Sequence, residues 1–170
     1  RGVVLAELDR PDEAVASYDR AISLQPENAE AYNNRGIALM RLRRYVEALA
    51  SYEGAIAHRP EYARAYNNRG VALRELGRSA EALESYDRAI ALRPDYAEAF
   101  TNRGIALAEL DRPEEALQSY ERAVAIAPDY AEAFYNRGNA LRDLCRIEDA
   151  VESYERAIAL VPEHAAAHWN

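Results

Sequence analysis

The chain has 170 residues, 49% of them hydrophobic and 29% charged, with a net charge of −8 and a pI near 5.0. That apolar share is ample for a core, yet no run approaches the roughly 18 consecutive apolar residues of a membrane span, so membrane insertion is not expected. The acidic balance argues against a nucleic-acid partner, whose affinity comes largely from attraction to phosphate, and suits basic or mixed partners better. All 21 basic residues are arginine, which removes lysine chemistry from consideration. The lone Cys145 cannot form an intrachain disulfide and fits a reducing, cytoplasmic setting.

Glycines at Gly2, Gly36, Gly70, Gly104 and Gly138 and prolines at Pro26, Pro60, Pro94, Pro128 and Pro162 recur every 34 residues without an insertion. A fixed period of this length marks one supersecondary unit repeated, each too small to bury its own apolar face. Counting phases from Ala29 gives a truncated repeat at 1–28, full repeats at 29–62, 63–96, 97–130 and 131–164, and the start of another at 165–170. Both ends cut through a first helix, so a segment of a longer array is expected. Residues Ala165 to Asn170 of one copy could also precede Arg1 of another and complete a repeat head to tail.

In chain order, the truncated repeat carries the turn Asp9-Arg10-Pro11-Asp12, read as an N-cap acid, an early proline and an acid three residues on. The repeat at 29–62 holds two helical stripes, first Ala31, Tyr32, Ala38, Leu39 and Leu42, then Ala48, Leu49, Tyr52, Ala55 and Ile56. Gly36 falls inside the first helix, where it costs about 1 kcal/mol relative to alanine, so its return in every period predicts close helix approach. Pro60 and its equivalents stop the second helix, and the acids Glu27, Glu61, Asp95, Asp129 and Glu163 favour the next helix N-terminus. At 29–62, His58 replaces a repeated aliphatic and Gly54 a repeated arginine, marking its second helix as the weakest. The repeat at 97–130 reuses the capping pattern as Asp111-Arg112-Pro113-Glu114.

Tyr32, Gly36, Leu39, Ala48, Tyr52, Ala55 and Pro60 fill the spaced signature of the tetratricopeptide repeat, and Tyr66, Phe100, Phe134, Ala14, Ala82, Ala116 and Ala150 extend it. The chain therefore resembles that family over its whole length. The resemblance implies an all-α fold, a right-handed α-solenoid superhelix of antiparallel helix pairs, with a concave groove lined mainly by the first helix of each pair. It does not name a ligand.

On a helical wheel, phases 3, 4, 7, 8, 10, 11 and 14 form the packed side and phases 2, 5, 6, 9, 12 and 13 face the groove. Phase 6 is Asn34, Asn68, Asn102, Asn136 and Asn170, and phase 5 adds Asn33 and Asn67. An asparagine amide offers donors and an acceptor, so a row of them can hold an extended peptide backbone whatever its sequence. The row resembles the asparagine ladder in the superhelix of O-linked N-acetylglucosamine transferases. Asparagines that bond neighbouring helices are the structural alternative. Phase 9 supplies aliphatic pockets at Ile37, Val71 and Ile105, a series that Asn139 breaks. The co-chaperone mode of the family, which clamps a C-terminal carboxylate, needs a lysine at phase 5 and is disfavoured.

Arginine stands at phase 7 in every period, Arg1, Arg35, Arg69, Arg103 and Arg137, where its stem can cover the phase 24 tyrosines and its head can reach the phase 25 acids. This stripe reads as structural. The serines Ser17, Ser51, Ser85, Ser119 and Ser153 lack a partnered base and read as scaffold. His164 and His168 stand at a metal-like spacing without a third ligand, so no metal, cofactor or catalytic activity is expected. The expected function is a scaffold for extended peptide or protein segments. The alternatives are a self-assembling head-to-tail array or the targeting arm of a larger enzyme such as a glycosyltransferase.

Overall fold

The computed structural model describes residues 10–161, which form helices joined by short turns, with no strand among them. In chain order they are α1 (Pro11–Leu24), α2 (Ala29–Arg41), α3 (Tyr45–His58), α4 (Ala63–Glu75), α5 (Ser79–Leu92), α6 (Ala97–Glu109), α7 (Pro113–Ile126), α8 (Ala131–Asp143) and α9 (Ile147–Leu160). They fall in two compact units, Arg1–Arg93 and Pro94–Asn170, divided in the turn before α6. In the first unit α1 packs on α2, α2 on α3, α3 on α4 and α4 on α5; in the second α6 packs on α7, α7 on α8 and α8 on α9.

The predicted stripes form the cores. Ala31, Ala38 and Leu39 of α2 and Ala48, Leu49, Tyr52 and Ala55 of α3 are buried, as are their equivalents Ala106, Leu107, Ala116, Leu117, Tyr120 and Ala123 in the second unit. Fully burying a side chain such as Leu39 contributes about 1.5–3 kcal/mol, and since few large side chains are available, close approach makes up the rest. A Cβ built on Gly36 would lie 2.5 Å from Cε1 of Tyr52, and Gly70, Gly104 and Gly138 meet Tyr86, Tyr120 and Tyr154 at the same distance. The glycine is therefore the socket for the tyrosine ring of the second helix.

Each second helix ends ahead of its proline. Arg59 and Arg93, which precede Pro60 and Pro94, have φ −142° and −140°, the extended backbone that proline imposes on its predecessor. Each first helix ends instead on a residue with left-handed backbone: Arg43, Gly77, Asp111 and Cys145 have φ of 56°, 72°, 57° and 59°. The chain then closes back on the helix, as where Arg112 N donates to Leu107 O at 3.0 Å and Asp111 N to Ala108 O at 3.0 Å.

This overturns the expected N-cap role of Asp111. It is the C-terminal closure of α6, one residue too early to cap α7, and Arg112 holds the cap position without a side-chain cap bond. Pro113 does open α7, as its fixed φ favours. Asp9 of the same pattern lies outside the described residues. Among the first helices, α2 has a side-chain cap, Asn28 Oδ1 accepting from Ala31 N at 2.9 Å, while Tyr62, Tyr96 and Tyr130 hold the position without one.

Candidate functional site

Three of the phase 7 arginines, Arg35, Arg69 and Arg103, act as clasps, whereas Arg137 Nε is buried without a hydrogen-bond partner. Arg35 Nε donates to Asp19 Oδ1 of the preceding repeat at 2.6 Å and its Nη1 to Ser51 Oγ of its own repeat at 2.7 Å. Arg69 Nη1 donates to Ser85 at 3.2 Å while its Nε lies 3.7 Å from Glu53, an ion pair without a hydrogen bond, and Arg103 Nη1 donates to Ser119 at 2.7 Å. The expected acidic partner is thus joined by a serine, whose hydroxyl also donates to the carbonyl four residues earlier, as Ser51 does to Glu47 O at 2.9 Å. Of the serines read as plain scaffold, Ser51, Ser85 and Ser119 are the second half of this clasp, while Ser153 Oγ is buried without a hydrogen-bond partner. Arg1 of the series lies outside the described residues.

A second recurring arginine was not singled out from the sequence. Arg44 pairs with Glu47, Arg78 with Glu81 and Arg112 with Glu115, each through two bonds of 2.6–2.7 Å, and Arg10 with Glu13 and Arg146 with Asp149 occupy the same phases. The hydrogen bond from the guanidinium holds the carboxyls of Glu47, Glu81 and Glu115 below the ordinary range. The signal available in the sequence was an arginine followed three residues on by an acid, once per period.

The amide row divides by phase. In the first unit Asn34 and Asn68 are half-buried, together with Ile37 and Val71, and the exposed Glu30 and Arg64 flank them. Asn33 and Asn67, placed on the open face by the wheel, are instead 0% exposed. For Asn33 the reason is lateral: α2 and α4 run side by side, so its phase points at the next first helix rather than at solvent. Asn68 Nδ2 donates to Asn33 Oδ1 at 2.9 Å, and Asn33 Nδ2 to Asn34 Oδ1 at 3.3 Å. A buried amide left without partners would cost several kcal/mol, and this relay satisfies the one at Asn33.

The second unit is built otherwise. Thr101 fills the buried phase 5 position and turns its hydroxyl back to Ala97 O at 3.1 Å, so no amide there reaches across. Asn102, Ile105, Asn136 and Asn139 are half-buried. Asn139 Oδ1 accepts from the Tyr154 hydroxyl at 2.9 Å, and Tyr135, 56% exposed, tilts against the Tyr154 ring with centroids 5.8 Å apart. Asn170, His164 and His168 lie outside the described residues. No helix among the described residues is long and apolar enough to cross a membrane, and no group of three or more potential metal ligands gathers among them.

A repeating pair of helices with a half-open polar row along its first helices defines a protein-interaction repeat. The chain belongs to the tetratricopeptide-repeat family: its family model matches residues 27–95, 61–129 and 95–163, and a related repeat model matches residues 2–42. Among solved structures, that of MamA is 23% identical with a TM-score of 0.84, covering 97% of this chain and 96% of that one. That of YrrB, described as a TPR protein with an unusual peptide-binding site, is 29% identical with a TM-score of 0.75, covering 96% and 84%. That of a thermophilic TPR protein from Thermus thermophilus is 26% identical with a TM-score of 0.77, covering 95% and 88%. No curated protein sequence matches.

Proposed function

We propose that this protein-interaction scaffold binds extended peptide segments along its first helices. In the first unit Asn34 and Asn68 supply amides to the peptide backbone while Ile37 and Val71 receive apolar side chains; in the second unit Asn102, Asn136 and Ile105 occupy the corresponding phases. The observation that carries this reading is the partial exposure of the phase 6 amides in every described repeat, beside phase 5 neighbours that are buried in the first unit. The likeness to YrrB, whose structure is described as having a peptide-binding site, supports it. The acidic total favours basic or mixed segments. The test is titration with a fluorescein-labelled unstructured peptide rich in Lys and Ser. Asn34→Ala with Asn68→Ala, made together with Asn33→Thr so that no buried Asn33 amide is left without partners, should abolish binding while leaving helicity intact; unchanged affinity would overturn the proposal.

A second reading, association with another copy of the chain, draws on one observation. Val151 of α9 is 49% exposed where Val15, Leu49 and Leu117 at its phase are 6–8% exposed, and Ile147, Ile158 and Tyr135 are also open. A further repeat stacked there, of the same chain or of another copy, would cover that face. Sedimentation across concentrations checks it, a growing mass supporting association and a constant monomer refuting it.

A further inference from the structure

We infer that Asn33 is a positioning residue, one that fixes the amide orientation of Asn68 so that a bound backbone meets it in a single sense; this rests on the peptide-binding reading above. Asn33 is 0% exposed, so it cannot itself touch a ligand. Its carbonyl oxygen accepts from Asn68 Nδ2 at 2.9 Å, and its own amide nitrogen donates to Asn34 Oδ1 at 3.3 Å. An amide carries one acceptor and two donor hydrogens, and a flip exchanges the two ends. A flip of the Asn68 amide alone would turn its carbonyl oxygen toward the Asn33 oxygen and lose the 2.9 Å bond, and since the bond to Asn34 orients Asn33 itself, the relay holds Nδ2 inward. That leaves the Asn68 oxygen and one amide hydrogen for a ligand, an acceptor and a donor in fixed order, complementary to the N–H and C=O of an extended peptide. At Asn34 the oxygen is engaged by Asn33, so its Nδ2 hydrogens are what it keeps to offer.

The second unit supplies the comparison. Thr101 holds the same phase, is equally buried, and spends its hydroxyl on Ala97 O at 3.1 Å. Asn136, one period after Asn102, therefore faces a hydroxyl at phase 5 of the preceding repeat, not the amide that Asn33 presents to Asn68. The threonine also shows that phase 5 accepts a smaller side chain without loss of the helix pair, which makes Asn33→Thr a substitution the fold itself endorses.

The experiment measures the order of the side-chain amides by ¹⁵N relaxation and titrates the Lys- and Ser-rich peptide, in the wild type, Asn33→Thr, Asn68→Ala and the double variant. Asn68 should be more ordered than Asn136 in the wild type and fall to its level in Asn33→Thr, with thermal unfolding retained. Affinity should drop in Asn33→Thr by about threefold to tenfold, the worth of one ordinary hydrogen bond. The double variant should bind no worse than Asn68→Ala, because both changes act through one amide. An Asn68 amide equally ordered in Asn33→Thr would overturn the inference. Wild-type affinity in Asn33→Thr alongside lost binding in Asn68→Ala would overturn it while sparing the groove reading. Unchanged affinity in both would sink the groove reading and the positioning role with it.

Discussion

The repeat at 29–62 and the helix pair α8–α9 carry the same framework residues and solve two local problems differently. In the first, Gly54 admits the Tyr32 ring, whose Cδ1 would lie 2.7 Å from a Cβ there, and His58 stacks on that ring at 5.4 Å and 23°. In the second, Arg156 covers Phe134 at 5.9 Å, as Arg122 covers Phe100 at 6.0 Å. Gly54 and His58, read from the sequence as marks of a weak helix, are thus a matched pair serving the aromatic slot. Phase 5 differs as well: Asn33 is buried against the neighbouring first helix, whereas Tyr135 stands half open over Tyr154. The lesson is that a phase number specifies the backbone position, and the neighbour across it specifies the environment.

The sharpest way to break the comparison is to exchange phase 5. Asn33→Tyr forces a ring into a fully buried, hydrogen-bonded site and should cost about 3 kcal/mol or more, while Tyr135→Asn, at an exposed position, should stay within about 0.5 kcal/mol, both read from denaturant midpoints. Next in size is Gly54→Arg, which imposes the arginine-covered design on the Tyr32 slot. The clash of its Cβ with the ring should destabilise by about 1–3 kcal/mol, whereas Arg156→Gly should lose only about 1–2 kcal/mol from helix propensity and the cation–π contact. An equal effect from both would show that the two slots are interchangeable.

The turns after the first helices give a smaller effect of opposite sign. Cys145→Gly relieves left-handed backbone at φ 59° and should raise stability by about 1 kcal/mol; Gly77→Ala, at φ 72° with open space around it, should lower it similarly, both read from denaturant midpoints. The smallest effect is that of pH. The carboxyls of Glu47, Glu81 and Glu115 lie below their unfolded values because of their arginine bonds, so their support is present above the ordinary carboxylate pKa. It is lost as pH falls through the lowered folded values. These groups are exposed, so midpoints at neutral and acidic pH should differ only slightly between the wild type and a Glu47→Gln, Glu81→Gln, Glu115→Gln variant, with the gap closing on acidification.

The helix pairs, their core stripes and the close approach at the glycines were legible because each arises within one 34-residue period, where spacing along the chain is spacing in space; that a tyrosine ring fills the approach was not. The Arg35 clasp was half legible: its acid was expected, but Ser51 was not, since nothing in a serine's position announces its partner. Asp111 misled because a helix closure and a helix cap sit one residue apart in so short a turn, and the residue types favoured at the two overlap. Of the candidate site, phase 6 and phase 9 fall at half-buried positions in the described repeats, while Asn33 and Asn67 moved into the interior.

The sequence by itself determined the period, the helix pairing and the family, because hydrophobic spacing and proline and glycine punctuation act over a few turns of one chain segment. Only the tertiary structure decided which face of a first helix is open. A wheel treats the helix as isolated, but Asn33 meets Asn68, a residue 35 positions away, and it is that lateral neighbour which turns one asparagine into an internal brace and leaves the other half-buried.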